Sequence, residues 1–500
     1  MFTNTVSKHK NFLLGLVYLS FFIVYFLEGL LLLDPDFGWH LRFGQIVLAK
    51  GIIYKDLFSY TMPSYNFIDH EWLSDVLLAL FYPIIGKVGF SLIFASILSI
   101  SLMIQARIVR NRWVLIPFSL SGMSLFSVAG IRPQLFSILF FSIIISLVLN
   151  KTNYEKYKYA VPLLFLVWAN LHGGFLVGIF VLLLFILFKF IKSKKIIIRD
   201  LSILLISIIA TFINPYGLNL WKEILVSATD VSLRFRIEEW MPSFLFLNYA
   251  FIILSVLSVF MFIKYFKRFN HLEKILFIIL FFFAMSSYRN IYFFIPIAIV
   301  AIAKGFEFFY KDLFIYPFGR ERLIIVSKIV TAFCFLLFIL NVVSMIFSIY
   351  SQGGPIFYPQ NASFFLNTHN SKGQIFSTYN WGGYLIWKVP NKKVFVDGRM
   401  PSWKNKNAPL EESKDAFLEW GEVTSGQIPL EKEIKKYNID TFLLPANFSK
   451  VNKNSETINN LMFKILNIKS YDGTALANQL KELGFTKIYK DSIAVIYRKF

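Results

Sequence analysis

The chain is poor in cysteine and in charged residues. Its one cysteine, Cys334, lies inside an apolar run, which excludes a disulfide framework and a cysteine-based metal site. Only 16% of the 500 residues are charged, whereas a soluble protein carries about a quarter. Hydrophobic residues make up 56% of the chain, and they form runs long enough to cross about 30 Å of hydrocarbon. The composition therefore predicts a mostly α-helical protein that spans the membrane many times.

Acidic residues are also scarce relative to basic ones. The chain has 51 Lys and Arg against 30 Asp and Glu, a formal net charge of +21. The basic residues are spread over short loops and the C-terminal tail, without a long basic tract or zinc-finger spacing, so they do not indicate nucleic acid. Their places fit the positive-inside rule and contact with anionic headgroups. We expect membrane lipids, and no nucleic acid, among the partners.

The apolar runs predict about eleven membrane spans. They lie near 12–33, 88–106, 113–130, 134–149, 159–171, 175–191, 201–213, 244–263, 273–288, 291–304 and 323–350. The first lacks a small-residue cleavage site and is expected to be a retained signal anchor. The apolar segment 71–85 is interpreted as a helix along the interface, because a span there would place Arg107, Arg110 and Arg112 outside.

This topology divides the chain into two predicted parts. Residues 1–351 form a transmembrane bundle with a cytoplasmic N-terminus, and the first outer loop, 34–87, contains interfacial helices. Residues 352–500 are turn-rich and more charged, with short apolar runs such as 394–396 and 492–497. They are predicted to be a soluble α/β domain on the extracytoplasmic face. We expect a multi-pass protein of a bacterial plasma membrane.

Polar side chains gather at the predicted outer face. Charged groups at the edge of the hydrocarbon are costly to hold there unless they have a role. Those drawn from the outer loops include Asp34, Asp36, His40, Arg42, Asp69, His70, Glu71, Arg132, His172, Arg234, Arg236 and Arg289. Carboxylates, imidazoles and arginines from several helices at one face resemble an active site more than a lipid-facing surface.

Each of these groups also has a simpler explanation when taken alone. Asp34 and Asp36 fit the end of the first helix, just where a proline breaks it. His172 fits an interfacial histidine beside a helix break, and Arg289 fits a snorkelling anchor. An outer arginine runs against the positive-inside trend, however, and this favours a function for Arg289.

Three short motifs carry a resemblance to a known family. The first loop contains Asp36-x-x-x-His40-x-Arg42, Gly51, Asp56, Tyr60 and Pro63. It resembles the first external loop of oligosaccharyltransferase catalytic subunits and, more widely, of the GT-C superfamily of polytopic glycosyltransferases. In the tail, 379–387 and the following 393–399 resemble the Trp-Trp-Asp-Tyr-Gly motif of these enzymes and the strand after it. The segment 289–296 resembles their Arg-aromatic-Pro helix start near the lipid phosphate.

The resemblance implies a membrane glycosyltransferase that takes a sugar from a polyprenyl-phosphate or polyprenyl-diphosphate donor. Such transfer needs a base for the acceptor and a cationic clamp for the phosphate leaving group. Asp36 is the predicted base, with Asp34, Asp69 and Glu71 as substitutes. The predicted clamp is Arg289, followed by Arg132, Arg234 and Arg236. The predicted substrate contacts come from Trp39, His40, Arg42, His70, His172, Trp381 and Tyr384.

The chain departs from the family at two places. Gly382 or Gly383 stands near the Asp of the tail motif, and the turn 130–134 reads Gly-Ile-Arg-Pro-Gln where those enzymes carry a metal-binding acidic pair. A metal-independent transferase, like the protein O-mannosyltransferases, therefore fits better. We expect no cofactor and no metal ligand, and a divalent metal stays an alternative that the residues do not support.

Other functions stay open. Within the same class, the chain could transfer a whole glycan to protein, as an oligosaccharyltransferase does. A transporter or flippase of lipid-linked saccharide would need charges near mid-membrane on broken helices, whereas most predicted spans are polar at one end only. A glycosidase with paired carboxylates needs no lipid access. A catalytically silent scaffold with the same fold is also compatible with the sequence. The acceptor, whether glycan, lipid or protein, is left open.

Overall fold

The computed structural model describes residues 2–109, 112–245, 248–313, 358–446 and 473–500, with a few single residues between 314 and 357. The helices of the N-terminal part are α1 (Phe2–Leu31), α2 (Phe37–Lys50), α3 (Trp72–Ile108), α4 (Leu115–Ser124), α5 (Gln134–Leu149), α6 (Lys151–Tyr157), α7 (Val161–Leu171), α8 (Phe175–Ser193), α9 (Ile198–Ala210), α10 (Leu218–Thr229), α11 (Leu233–Arg236), α12 (Tyr249–Lys264), α13 (His271–Ser286) and α14 (Ile291–Leu313). The predicted eleventh span, 323–350, lies outside the described residues.

Among the described residues, three helices are long and apolar enough to cross a membrane. They are α3, α8 and the stretch Tyr288–Asp312, which contains all of α14 except its last residue. The pair α5 and Lys151–Leu171 would make a fourth span, although the two halves are bent by 115°. These helices support a membrane protein. The count of eleven spans and the cytoplasmic N-terminus stay predictions.

The predicted span at 113–130 contains only a short helix. Helix α4 covers Leu115–Ser124, and a 3-10 helix at Phe126–Val128 follows it. Ten residues of α-helix are about 15 Å long, half of the hydrocarbon thickness. By contrast, α5 has the bounds that the sequence predicts, 134–149.

Helix α3 is broken at Gly86. This residue has φ +59° and ψ −165°, a conformation open to glycine but strained for other residues, and Pro83 lies one turn before it. The break falls between the predicted interfacial segment 71–85 and the predicted span 88–106. The helix therefore breaks where the sequence predicts the two segments to separate, while the interfacial position of the first half stays a prediction.

The bundle core is rich in aromatic residues. On α1, Phe21 stacks on Tyr25 and meets the edge of Phe118 on α4 at 6.1 Å between ring centroids. The Tyr25 hydroxyl donates to the carbonyl of Gly122 at 2.7 Å. These contacts tie the C-terminal half of α1 to α4 and so fix where the chain leaves α1 for Asp34.

The C-terminal part combines helices with a small sheet. Its helices are α15 (Gln360–Thr368), α16 (Gly382–Lys388), α17 (Ala416–Thr424), α18 (Leu430–Tyr437) and α19 (Gly473–Glu482). Its strands are β1 (Gln374–Ser377), β2 (Ile439–Pro445), β3 (Thr486–Lys490) and β4 (Ala494–Arg498), in the order β1-β2-β4-β3. Strand β2 runs parallel to β1 and antiparallel to β4. The predicted apolar run 492–497 lies largely in β4, and the placement outside the membrane stays a prediction.

The segment 393–399, which resembles the family's strand after the tail motif, forms no strand. Val394 forms only an isolated bridge with Ser59 of the first loop. The Tyr60 N–H donates to the Val394 carbonyl at 3.1 Å, and the Thr61 hydroxyl donates to the Phe395 carbonyl at 2.6 Å. Because these partners come from an irregular loop far away in sequence, no ladder extends from them.

Helix α2 joins two hydrophobic cores. Its residues Phe37 and Leu41 are buried in the core of the helical bundle, whereas Trp39 and Phe43 are buried in the core of the C-terminal part. Residues four apart share one face of a helix, and residues two apart lie on nearly opposite faces. The first loop is therefore packed between the bundle and the tail and positions residues on either side of it.

Candidate functional site

A cavity of about 330 Å³ lies between the first loop, the bundle and the tail. It brings together more than half of the residues that the sequence predicts for a site. The predicted residues in its lining are Asp36, Trp39, His40, Asp69, His70, Glu71, His172, Arg234 and Arg289. Residues of the tail, among them Gly398, Arg399 and Trp403, close one side.

The backbone around Asp36 is fixed from both directions. The Asp34 carboxylate accepts a hydrogen bond from the Asp36 N–H at 2.9 Å, and the Asp36 carbonyl accepts one from the His40 N–H at 3.1 Å. On the opposite side, a Cβ at Gly398 would lie 1.7 Å from Asp36 Oδ1. Only glycine at 398 leaves room for this carboxylate.

The Asp36 carboxylate is poised to accept a proton near neutral pH. Burial first, and then the neighbouring Asp34 charge, raise the pKa of Asp36 to about 6. A carboxyl group with this pKa is mostly ionised at pH 7 and is a stronger base than an exposed aspartate. The environment therefore suits the role of a general base.

Three imidazoles surround the Glu71 carboxylate. Glu71 Oε1 lies 3.2 Å from His172 Nε2 and 3.6 Å from His70 Nε2, and Oε2 lies 3.4 Å from His40 Nε2. Burial raises the pKa of Glu71 to about 7, although the His40 and Arg289 charges oppose this. Glu71 is thus a second carboxylate on the cavity wall that exchanges its proton near neutral pH.

His40 is held between two carboxylates. Its Nδ1 lies 2.6 Å from Asp75 Oδ1, and its Nε2 faces Glu71. The Trp39 ring covers it at 3.6 Å between ring centroids. Because Asp75 holds Nδ1, the ring orientation of His40 is fixed and Nε2 is the nitrogen that faces Glu71 and the cavity.

The hydrogen-bond pattern also sets the tautomer of His172. Its Nδ1 accepts from the Gly174 N–H at 3.0 Å, and the Ser137 hydroxyl lies 2.6 Å from the same nitrogen. Ser137 in turn accepts from Trp168 Nε1 at 2.7 Å, which leaves its own proton for His172. Because Nδ1 serves as an acceptor, Nε2 carries the proton; this nitrogen lies 3.2 Å from Glu71 Oε1 but forms no hydrogen bond with it.

Two histidines of the cavity, His70 and His172, are neutral. Burial first, then the Arg289 charge, lower the pKa of His70 to about 3. The same two causes lower the pKa of His172 well below its ordinary value. A neutral imidazole can donate or accept a hydrogen bond without adding charge to the site.

Arg289 is the cation best placed for an incoming anion. It lies in the 3-10 helix Tyr288–Asn290 directly before α14 and contacts the Trp240 ring at 5.5 Å from the centroid. Within the described ranges of the chain, no carboxylate forms an ion pair with it. Arg399 also lines the cavity, but it is already paired with Asp56 and Asp397.

Other predicted site residues do not line the cavity. Arg42 donates to Gln45 at 3.3 Å on α2, and Arg236 pairs with Asp415 of the tail at 2.8 Å. Trp381 and Tyr384 are buried in the core of the C-terminal part, where Tyr384 stacks on Tyr358. These four side chains therefore contact other residues of the protein and do not face the cavity.

Asp34 and Arg132 are paired with each other beside the cavity. Arg132 Nε lies 2.5 Å from Asp34 Oδ2, and its NH1 donates to Glu239 Oε1 at 2.9 Å. Burial opposes ionisation here, but the Asp34 and Glu239 charges raise the pKa of Arg132 further. Arg132 is therefore a structural cation that is already neutralised.

The tail motif at 379–387 has a packing role. A Cβ on Gly383 would lie 2.3 Å from the Pro35 carbonyl, and one on Gly38 would lie 2.2 Å from the Gly383 carbonyl. Helix α16 therefore approaches the start of α2 at backbone contact. This explains the glycines that stand near the Asp of the family motif.

An apolar cavity of about 210 Å³ adjoins the polar one. His40 belongs to the lining of both. The other residues of the apolar lining include Phe37, Leu78, Phe81, Phe90, Phe94 and Phe136. A ligand with a polar end and a hydrocarbon end could therefore place one end in each cavity.

The family resemblance raises the question of a divalent metal. In the part of the chain that the structure describes, no three His, Cys, Asp or Glu side chains form a group that could hold one. The carboxylates of Asp34 and Glu239 share the Arg132 guanidinium, which has donors only. His172 uses Nδ1 as an acceptor, so its Nε2 has no free lone pair for a metal. The residues do not fit a metal site.

Sequence reasoning missed several residues of the site. Asp75 was part of an apolar segment, although an acidic residue four positions after Glu71 was a signal of a shared helix face. Ser137 carried no signal in the sequence. Glu239 lies in a loop where a solvated charge is the ordinary case, and Arg399 belongs to the tail segment 393–399, which gives no role for its side chain.

Comparison with known proteins gives a likeness in structure only. No protein-family model matches the chain, and no curated protein matches its sequence. The oligosaccharyltransferase of Archaeoglobus fulgidus in the apo form is similar, with a TM-score of 0.55 and 12% identity over 86% of this chain and 70% of that chain. The same enzyme tethered to an acceptor peptide that contains the NVT sequon has a TM-score of 0.54 and 12% identity, over 86% and 69%. The chain therefore has the fold of that enzyme, the GT-C fold, as the sequence motifs predict.

Proposed function

We propose that the chain is a GT-C membrane glycosyltransferase that moves a sugar from a polyprenyl-phosphate or polyprenyl-diphosphate donor to an acceptor at the outer membrane face. One observation carries the proposal: a single cavity holds the carboxylates of Asp36, which is partly buried, and of Glu71, which is buried, together with the unpaired Arg289. The fold likeness to an oligosaccharyltransferase supports the same class of reaction.

Asp36 is the proposed base. It takes the proton of the acceptor nucleophile, whose oxygen or nitrogen attacks the anomeric carbon as the bond to the phosphate oxygen breaks. Its pKa of about 6 keeps it ionised at pH 7 while leaving it basic enough to accept a proton. Asp69 and Glu71 lie on the same wall and support a hydrogen-bond network for the sugar or acceptor.

Arg289 is the proposed clamp for the leaving phosphate. Negative charge grows on the phosphate as the glycosidic bond breaks, and a fixed guanidinium stabilises it. Arg234 lies in the same lining as a second cation. The neutral His70 and His172 leave these positive charges to the arginines, while His172 Nε2–H is available as a donor.

The two adjoining cavities suit a lipid-linked donor. The apolar one offers aromatic and aliphatic contacts for isoprene units, and the polar one offers Trp39, Trp240 and Trp403 for the C–H faces of a sugar. The acceptor is less constrained. A peptide is one candidate, because the structural neighbour is tethered to an acceptor peptide.

The proposal is tested by measuring whether the protein consumes a lipid-linked sugar or moves it across a bilayer. Purified protein in vesicles would receive a panel of labelled polyprenyl-linked sugars, with and without a peptide containing the NVT sequon. The proposal expects release of polyprenyl phosphate or diphosphate and a new glycoside. If the labelled lipid-linked sugar instead crosses the bilayer without being consumed, the protein is a flippase and the proposal is wrong.

A further inference from the structure

Arg132 occupies the place between two carboxylates of different outer loops. Its Nε contacts Asp34 of the first loop, and its NH1 contacts Glu239 of the loop before α12. The Arg132 and Asp34 side chains are 23% and 13% exposed, so water screens this pair only in part. A guanidinium keeps its proton at every pH at which a protein is folded.

Each of the two carboxylates is connected to a functional group of the cavity by a contact of its own or of the next residue. The second oxygen of Asp34 accepts from the Asp36 N–H and so fixes the proposed base. Glu239 precedes Trp240, whose ring contacts Arg289, the proposed phosphate clamp. Arg132 therefore cross-links the element that carries the base to the element that carries the clamp.

We propose that the Arg132 guanidinium is a built-in cation that does for Asp34 and Glu239 what a divalent metal ion would do, so that this site binds no divalent ion. The inference concerns the site of the proposed function and rests on it for the roles of Asp36 and Arg289. The arrangement of Arg132, Asp34 and Glu239 itself does not depend on the reaction. Arg132 fills the position between the oxygens, and its positive charge repels a cation.

Binding of Mn²⁺ to the purified full chain, without donor or acceptor, tests the inference independently of catalysis. Free Mn²⁺ is measured by electron paramagnetic resonance for wild type and Asp34→Asn. We expect equal binding by the two proteins, because no ion contacts Asp34. A Mn²⁺ site in wild type that Asp34→Asn removes would overturn the inference.

The variant Arg132→Ala supplies the converse experiment. It leaves the carboxylates of Asp34 and Glu239 facing one another without a cation, and we expect it to gain a Mn²⁺ site that binds at least about tenfold more tightly than any in wild type. Adding Glu239→Gln should remove the gained site. Failure of folded Arg132→Ala to bind Mn²⁺ would contradict the inference, and if this variant does not fold, the wild-type comparison decides alone. Arg268→Ala, whose partner Asp312 is exposed, is the matched control.

Discussion

At the scale of single residues, the site brings charged groups that are partly or fully buried to one cavity. Asp36, Glu71 and Arg289 could be predicted from the sequence, because each is a charge at the end of an apolar run. Their pairing could not be predicted, since Asp75 and Ser137 acquire their roles only through contacts made in the fold. The sequence thus shows which charges are unusual, and the structure shows which of them meet.

The proposed base predicts the pH dependence of transfer. Asp36 must be ionised to act, so kcat/KM should fall as the pH drops through about 6. Asp34→Asn removes a negative neighbour that raises the pKa of Asp36, and the acid limb should therefore move to lower pH. The pH–rate profile of each protein measures this. Asp230→Asn, which removes one partner of an ion pair with Lys404 outside the cavity, should leave the limb in place. A limb that moves upward in Asp34→Asn contradicts the assignment.

Ser137 is a positioning residue for His172. Ser137→Ala removes the donor that joins Trp168 to His172 Nδ1, and the ring should lose its fixed orientation towards Glu71. We expect kcat to fall about tenfold, the effect of one lost hydrogen bond of about 1.4 kcal/mol, while the donor KM stays constant. The matched control is Ser207→Ala, because the Ser207 hydroxyl donates only to a carbonyl of its own helix. Steady-state kinetics measure both constants, and a change in KM alone would assign Ser137 to binding instead.

At the scale of elements, the bounds of a helix can be predicted from neighbouring residues, whereas contacts with residues distant in sequence cannot. The bounds of α5 follow from an apolar run between Pro133 and Asn150, both of which are local signals. The apolar run 394–396 has residues typical of a strand but finds its partners at 59–61 in an irregular loop. Strand pairing is non-local, so composition alone could not reveal it.

The close approach between two elements makes Gly398 sensitive to substitution. A Cβ in Gly398→Ala would meet Asp36 Oδ1, and the backbone cannot retreat easily because Asp397 and Arg399 are fixed in a buried ion pair. We expect a lower melting temperature and a strong loss of transfer. On α17, Gly421→Ala meets nothing within 4 Å and should stabilise by about 0.5–1 kcal/mol. Thermal unfolding of both variants checks this, and a neutral Gly398→Ala would show that the contact is loose.

At the scale of the whole molecule, the first loop is the joint between the bundle and the tail. The two faces of α2 enter two hydrophobic cores, and Ser59 to Thr61 bond to the segment 394–395. The sequence predicts a boundary near 351, but the core of the tail includes side chains of the first loop. That sharing could not be predicted, because α2 is short and carries apolar residues on both faces.

Arg399 is the ionic part of this joint. It pairs with Asp56 of the first loop at 2.9 Å and with Asp397 at 2.7 Å, and its side chain is 3% exposed. Arg399→Ala leaves two buried carboxylates unpaired, and we expect a loss of about 3–5 kcal/mol in stability. The exposed pair broken in Arg268→Ala should cost no more than about 1 kcal/mol. Thermal unfolding and limited proteolysis of the tail measure the difference. Equal stability of the two variants would show that the Arg399 ion pairs do not hold the first loop to the tail.

The most direct test of the account is consumption of lipid-linked sugar by wild type and Asp36→Asn. Both proteins, with Asp230→Asn as control, are placed in lipid with the donor that wild type consumes, and released polyprenyl phosphate or diphosphate is measured over time. If Asp36 is the base, the control keeps full activity and Asp36→Asn loses at least about a hundredfold, with unchanged thermal unfolding. Near-normal release by Asp36→Asn would contradict it.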